Sequence, residues 1–355
     1  MEENREATTE TKFLPIEVEI LYESDQLFTD LKKIEQYIPL SLFMEILEMR
    51  PDGKFEILKV KNKLVLQPNV KAGETIDVVY TRFRKHRVVP EDTKKADWRV
   101  YYGPVKDQGK HEICWTVVAA ELVTAIRWIK GRENGTEYSY QELVDFVFPE
   151  KGKLNGKEDH FCYKLSIVKA LRYIVQHGIQ KAEDRPFDGC KEFPPPRVLL
   201  HPDLGYIGAV KSLTLEEALI RLQTQPIGAA MPIFRPDYDD IKGGIYSGPM
   251  PRDSMFCGMH AVSITGAGTD DETGESFMYV RSSHGVRLGK DGYFRVSIDV
   301  MLLRTGEGYQ EHEANYFTNP TPLLVRFCVP ELLEEDEEKK IKEKTAEKIR
   351  KMVQR

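Results

Sequence analysis

The chain reads as an α+β protein of two subdomains, helices first and strands after, preceded by a small α+β module. Three observations predict this. Apolar residues recur at helical spacing over 114–130, about 139–147 and 164–177. Strand-like text then follows in "PIGAAMPIF", "HAVSITGAG", "SFMYVRSS" and "GYFRVSI". Helices gathered ahead of strands, rather than alternating with them, argue against a parallel βαβ sheet.

Along the chain, residues 1–12 are polar and acidic and are predicted to be disordered. Residues 13–90 carry the module, whose role the sequence does not reveal. "FLPIEVEILYES" alternates around Ile16, Val18 and Ile20 like a short strand. "DLKKIEQYIPLSLFMEILEM" has helical spacing, with Pro39 starting or kinking the helix. "KFEILKVKNKLVLQP" alternates like a hairpin, and "ETIDVVYTRFRKHRVV" reads as a further strand. The polar link "VPEDTKKADWR" leads into the main body, residues 96–330. There Gly178 is placed to end the 164–177 helix, and Thr214 with Glu217 three residues on forms a capping-box pattern. Residues 331–355 are acidic at the start and basic at the end, which suits a helix dipole. Their thin apolar stripe (Leu333, Ile341, Ile349, Val353) reads as a solvated helical tail, with a partner-binding helix as the alternative.

A hydrophobic fraction of 41% with 30% charged residues predicts a globular chain with a sizeable core. The net charge of −6, with no basic stripe, excludes nucleic acid as the main partner. No apolar run approaches the ~20 residues of a membrane span, and the first twelve residues lack the apolar core of a secretory signal. Cys114, Cys162, Cys190, Cys257 and Cys328 are odd in number and widely spaced. That pattern predicts free thiols in a reducing, cytoplasmic setting, and no metal site or other cofactor, since zinc sites favour close cysteine pairs.

Cys114 opens a helical run after the loop "KDQG", where the positive end of a helix dipole lowers a thiol pKa. On position alone it is either a nucleophile or a core thiol. Read with the rest, residues 96–330 resemble the papain-like cysteine peptidases. The resemblance is carried, in order, by "ADWR…GPVKDQG", "QG…CW", "YSYQELVDF", "LRYIVQHGI" with "RPF", "QPIGAAM", "GGIYSGP", "MHAVSITGAG" and "YVRSSHGVRLGKDGYFRV". His260 stands 146 residues after Cys114 (position 260 against 114), and ~130–150 is the family's spacing. The resemblance implies a helical subdomain presenting Cys114 across from His260 on a β-barrel-like subdomain. It also implies a thiolate–imidazolium pair that attacks a peptide bond, with Gln108 and the Cys114 N–H stabilising the oxyanion.

The same alignment shows departures. Ser282 stands where the family's orienting asparagine belongs, and His284 where a tryptophan shields the pair. A serine hydroxyl orients an imidazole less well, and loss of the tryptophan is expected to admit water, so impaired activity is predicted. The alternative is a non-catalytic papain-fold binding or scaffold protein. Leu165 replaces a glycine of the substrate cleft, while Ala230 and Ala261 occupy its apolar pocket; with His284 these are the expected substrate-binding residues. A peptide or protein substrate is implied, and residues 13–90 or 331–355 are candidate contact surfaces for a protein partner. Of the family's disulfides, Cys162 has His111 at its partner position, Cys190 has Phe146, and Met250 stands at one end of the third. The loss of these bridges implies an intracellular protein.

Overall fold

A computed structural model describes residues 18–19, 27–28, 55–63, 75–155, 161–197, 203–250, 254–305 and 317–353. The expected disorder over 1–12 and the expected helix around Pro39 lie outside these residues. The chain divides into two compact units. One comprises Met1–Lys85, Met250–Ser254 and Met301–Thr321, the other His86–Pro249, Met255–Val300 and Pro322–Arg355.

In the first unit, β1 (Val18–Glu19) pairs antiparallel with β2 (Leu27–Phe28) and parallel with β3 (Phe55–Lys63). The hairpin expected within "KFEILKVKNKLVLQP" is corrected. Residues 55–63 form one continuous strand whose antiparallel partner is β4 (Thr75–Arg84), in register from Glu56 opposite Arg82 to Lys63 opposite Thr75. No Asn-Gly or Asp-Gly pair interrupts the first strand, so nothing in it supplies the positive φ of a tight turn.

The second unit opens with α1 (Glu91–Lys94), α2 (Cys114–Ile129), α3 (Tyr140–Phe146), α4 (Pro149–Asn155) and α5 (Ile167–His177). Helix α2 contains neither glycine nor proline and is buried on nearly all sides from Trp115 to Arg127, which makes it a core helix. Helix α5 is capped by the Ser166 side chain, which accepts the Lys169 N–H, and ends on Gly178 at φ +67°, as the sequence predicts. After β5 (Ala209–Leu213), α6 (Leu215–Arg221) carries the predicted Thr214–Glu217 capping box.

The later strands are β6 (Ile227–Arg235), β7 (Ile245–Tyr246), β8 (Met255–Thr269), β9 (Ser276–Arg281), β10 (Tyr293–Ser297), β11 (Val300–Thr305), β12 (Thr321–Pro322) and β13 (Val325–Glu331). Within this unit the order is β7-β10-β9-β8-β6-β13-β5, antiparallel except for β7 beside β10. Helix α2 lies close on this sheet because β6 has a glycine at the approach. A Cβ on Gly228 would sit 2.9 Å from Leu122 Cδ1 and 3.2 Å from Cys328 Sγ. Leu122, Trp115, Ile167, Leu171 and Ile174 share the resulting core, each apolar side chain contributing about 1.5–3 kcal/mol. Helix α7 (Glu335–Val353) has the acidic start and basic end read from the sequence. Its first turn is exposed except at one residue: Glu338 is 4% exposed and pairs with Arg127 of α2.

Candidate active site

Gln108 and Cys114 belong to one loop-to-helix stretch. Asp107 Oδ1 accepts the Gly109 N–H at 2.9 Å and Gly109 takes φ +55°, turning the chain toward α2. The Gln108 N–H donates to Ser283 O (2.8 Å), the Ser283 hydroxyl donates to Gln108 Oε1 (2.5 Å), and Gln108 Nε2 donates to His111 O (2.6 Å). The amide is thereby held in one orientation and keeps a second N–H. Helix α2 begins at Cys114 with no side-chain cap, so its first N–H groups keep their partial positive charge.

The other half of the site comes from the sheet. On β8, His260 lies opposite Met231 of β6, and Ala261 opposite Ala230. The Ala261 N–H donates to Cys114 Sγ at 3.4 Å, which sets the thiol against the residue next to His260. His260 Nε2 lies 3.3 Å from Ser282 Oγ, just past the end of β9. Tyr238 Oη lies 2.9 Å from Ser282 Oγ and 2.9 Å from His284 Nδ1. The three links can be donated in either direction, and a proton on His260 Nε2 sets one of them. In that direction His260 Nε2–H donates to Ser282 Oγ, the Ser282 hydroxyl donates to Tyr238 Oη, and the Tyr238 hydroxyl donates to His284 Nδ1. It leaves His260 Nδ1 as an acceptor on the opposite edge of the ring.

The expectation that water enters at His284 is corrected. Its ring stacks on His260 with centroids 4.3 Å apart and planes 11° from parallel. His260 and Ser282 are each only 3% exposed, so the bond between them is covered rather than opened to water. His284, engaged by Tyr238 and His260, forms part of that cover. Leu165 is partly buried against the same apolar cluster as Cys114, while Ala261 is buried within it. Sequence reasoning missed Tyr238, Ser283 and Lys164. Tyr238 sits in "FRPDYDD", which reads as a polar turn and carries no signal of its own. Lys164, aligned with a family glycine, pairs with Glu112 at 3.1 Å.

The electrostatics oppose an ion pair at rest. Burial pushes the Cys114 thiol above its ordinary value, against the pull of the Ala261 and Trp115 N–H groups and of Lys164. Burial also holds His260 well below the ordinary histidine value, and the adjacent His284 adds to this. Both directions favour a neutral thiol beside a neutral imidazole. Alkylation of Cys114 by iodoacetamide, followed by mass spectrometry on the folded chain, is therefore expected to rise about tenfold per pH unit between about pH 6 and pH 8. A thiolate–imidazolium pair would already be at its plateau near pH 6, and that plateau would overturn the neutral assignment.

Two further cysteines behave differently from expectation. Cys162 and Cys190 are bonded to each other, 28 residues apart with Cα atoms 5.4 Å apart. The family alignment gives each a different partner position, held here by His111 and Phe146. The two remaining ends are bonded to each other, and the His111 ring lies against both sulfurs.

A helix that begins with a cysteine is set against an antiparallel sheet that brings a buried histidine beside it. The profile of the papain family cysteine proteases matches residues 92–309, more than half of the chain, and the chain belongs to that family. Papaya proteinase 4 of Carica papaya is 28% identical over 210 residues, 57% of this chain and 55% of its own length, so the chain spans just over half of that relative. Protein HEAT-INDUCED TAS1 TARGET 4 of Arabidopsis thaliana is 28% identical over 250 residues, 61% of this chain and 86% of that one. Among solved structures, the proform of Amb a 11, a ragweed pollen cysteine protease, superposes with a TM-score of 0.50 at 21% identity. It covers 67% of this chain and 65% of that one, and it shows the α+β papain-like fold. The cytoplasmic, intracellular placement is overturned. The Cys162–Cys190 disulfide contradicts the free thiols on which it rested, and the matched pollen protease in its proform lends it no support.

Proposed function

We propose that this chain is a cysteine peptidase in which Cys114 is the nucleophile and His260 the base. The reading is carried by the Ala261 N–H donating to Cys114 Sγ, which holds the thiol beside His260. As Sγ bonds to the carbonyl carbon, His260 Nδ1 takes the thiol proton, and the carbonyl oxygen becomes an oxyanion received by the Cys114 N–H and the second N–H of Gln108. Collapse breaks the C–N bond. The leaving amine takes the proton from His260, and water then hydrolyses the thioester. Ala230 and Ala261, cross-strand neighbours, leave room for a bulky apolar side chain two residues before the cut.

In this reading the run from His260 through Ser282 and Tyr238 to His284 replaces the family's asparagine. With the proton on His260 Nε2, it leaves Nδ1 free to accept. Tyr238→Phe removes one donor and leaves Ser282 without its acceptor. The expected result is a fall in kcat of about 10-fold with KM unchanged; an unchanged kcat would remove Tyr238 from the machinery.

The burial that disfavours charge on Cys114 and on His260 favours a second reading, a papain fold kept as a non-catalytic binding protein. A fluorogenic peptide with a leucine or phenylalanine two residues before the cleaved bond separates the two. Turnover by the full chain, with covalent trapping of Cys114 by a peptidyl alkylator, supports the peptidase. Neither turnover nor selective trapping would leave the binding protein.

A further inference from the structure

We propose that His111, Cys162 and Cys190 form a second site in this molecule. It would bind a soft divalent ion of the zinc class once the Cys162–Cys190 bond is reduced. The ligand atoms of these three residues lie within 4.8 Å of one another. His111 Nδ1 is 3.1 Å from Cys162 Sγ and 3.4 Å from Cys190 Sγ. A tetrahedral zinc with bonds of ~2.0–2.1 Å to nitrogen and ~2.3 Å to sulfur holds N and S about 3.5 Å apart, and two sulfurs about 3.8 Å apart. The imidazole thus already stands near ligand distance from both sulfurs. Only the sulfurs have to part.

The surroundings keep the three groups together without the S–S bond. The Phe161 N–H donates to Cys190 O at 3.2 Å, tying the two cysteine segments by their backbones. The His111 N–H donates to Gln108 O at 3.0 Å, which fixes the turn that carries the imidazole. Ile113, Val117 and Val144 are buried with the two cysteines, and the Phe187 ring stands edge-on to His111 with centroids 5.3 Å apart. Such an apolar wall limits water and restricts the ring, as a metal site requires. Among the described residues no fourth histidine, cysteine or carboxylate joins the group, so a water completes the tetrahedron. The ligands lie far apart in sequence, which is why the close-pair spacing rule finds no site here.

A dithiol reductant gives two electrons and two protons to the S–S bond and becomes a disulfide itself. The two protein thiols then release two protons as they bind the ion, and neutral His111 donates its Nδ1 lone pair. Disulfide and metal are mutually exclusive.

The test uses the full folded chain, reduced with a dithiol that is then removed under anaerobic conditions, and titrated with Co2+. One cobalt per chain is expected, with thiolate-to-cobalt charge-transfer absorption and tetrahedral ligand-field bands that Zn2+ abolishes. Cys162→Ser is expected to lose the charge-transfer band, Cys114→Ser to keep it, and His111→Ala to weaken binding at least about 10-fold. In the wild-type reduced chain, Zn2+ is expected to slow alkylation of Cys162 and Cys190 at least about 10-fold while leaving Cys257 unchanged. This last measurement needs no variant and decides the matter if Cys162→Ser does not fold. Equal alkylation rates with and without zinc would overturn the site. So would a band that survives Cys162→Ser or disappears in Cys114→Ser.

Discussion

Cys114→Ala is expected to abolish peptide hydrolysis, lowering kcat by a factor on the order of 10⁶. The size follows from what the thiol alone supplies. Without Sγ no acyl-enzyme forms, and the oxyanion donors and His260 can at best activate a water, which leaves the residual ~10³–10⁴-fold acceleration known for such knockouts. The fold should survive. Cys114 is the first residue of α2 and only partly buried, and alanine is the better helix former, so little stability is at stake. The substitution removes the 3.4 Å hydrogen bond that the Ala261 N–H donates to Sγ. The measurement is kcat together with substrate Kd and Tm; Kd and Tm should hold while kcat collapses. Retention of more than a few per cent of the wild-type rate would point to another nucleophile, Cys257 being the other partly exposed free thiol.

Both halves of this site were legible in the sequence because each sits inside a patterned element. Cys114 opens a long run with helical spacing, and His260 lies in "HAVSITGAG", a strand whose neighbours recur in a fixed order. The link between them was less legible. Ser282 was visible only as a substitution, and its meaning depends on Tyr238, which lies 44 residues earlier in a segment without periodicity. Such a hydrogen-bonded run exists only once β6, β8 and β9 are stacked side by side. The same is true of Cys162 and Cys190. Reasoning each toward its own replaced partner could not reveal that the two surviving ends face each other. Burial was also invisible. The resemblance implies an ion pair, but the surroundings of Cys114 and His260 oppose charge on either.

Glu338→Ala is expected to destabilise the fold by about 3–5 kcal/mol, because it strands a buried guanidinium. Arg127 is 1% exposed. Its Nη2 donates to Glu338 Oε1 at 2.8 Å and its Nη1 to Glu338 Oε2 at 3.1 Å, a two-pronged pair between the core helix α2 and the first turn of α7. Tyr206 O, accepting from Nη1 at 3.0 Å, and Glu133, accepting from Nη2 at 3.0 Å, remain in the variant. They place the expected loss toward the lower end of the range, a fall in Tm of roughly 6–12 °C for a unit of this size. Exposed Glu337→Ala, one residue away, is the control and should change stability by no more than about 0.5 kcal/mol. The pH dependence gives a second check. Burial would raise the Glu338 carboxyl, but Arg127 and Lys342 together hold it below the ordinary range. A carboxyl lowered in the folded state contributes its stability above its unfolded pKa, near 4.3, and loses it as pH falls through the folded value. The gap between wild type and Glu338→Ala should therefore be full at neutral pH and narrow below about pH 4. Replacing both partners, as Arg127→Met with Glu338→Leu, should recover part of the loss, since the buried guanidinium goes with its partner while Glu133 keeps Lys342 and the Tyr138 hydroxyl. If Glu338→Ala melts with Glu337→Ala, the first turn of α7 is not anchored by this pair, and the tail is the solvated helix that its charge pattern alone suggests.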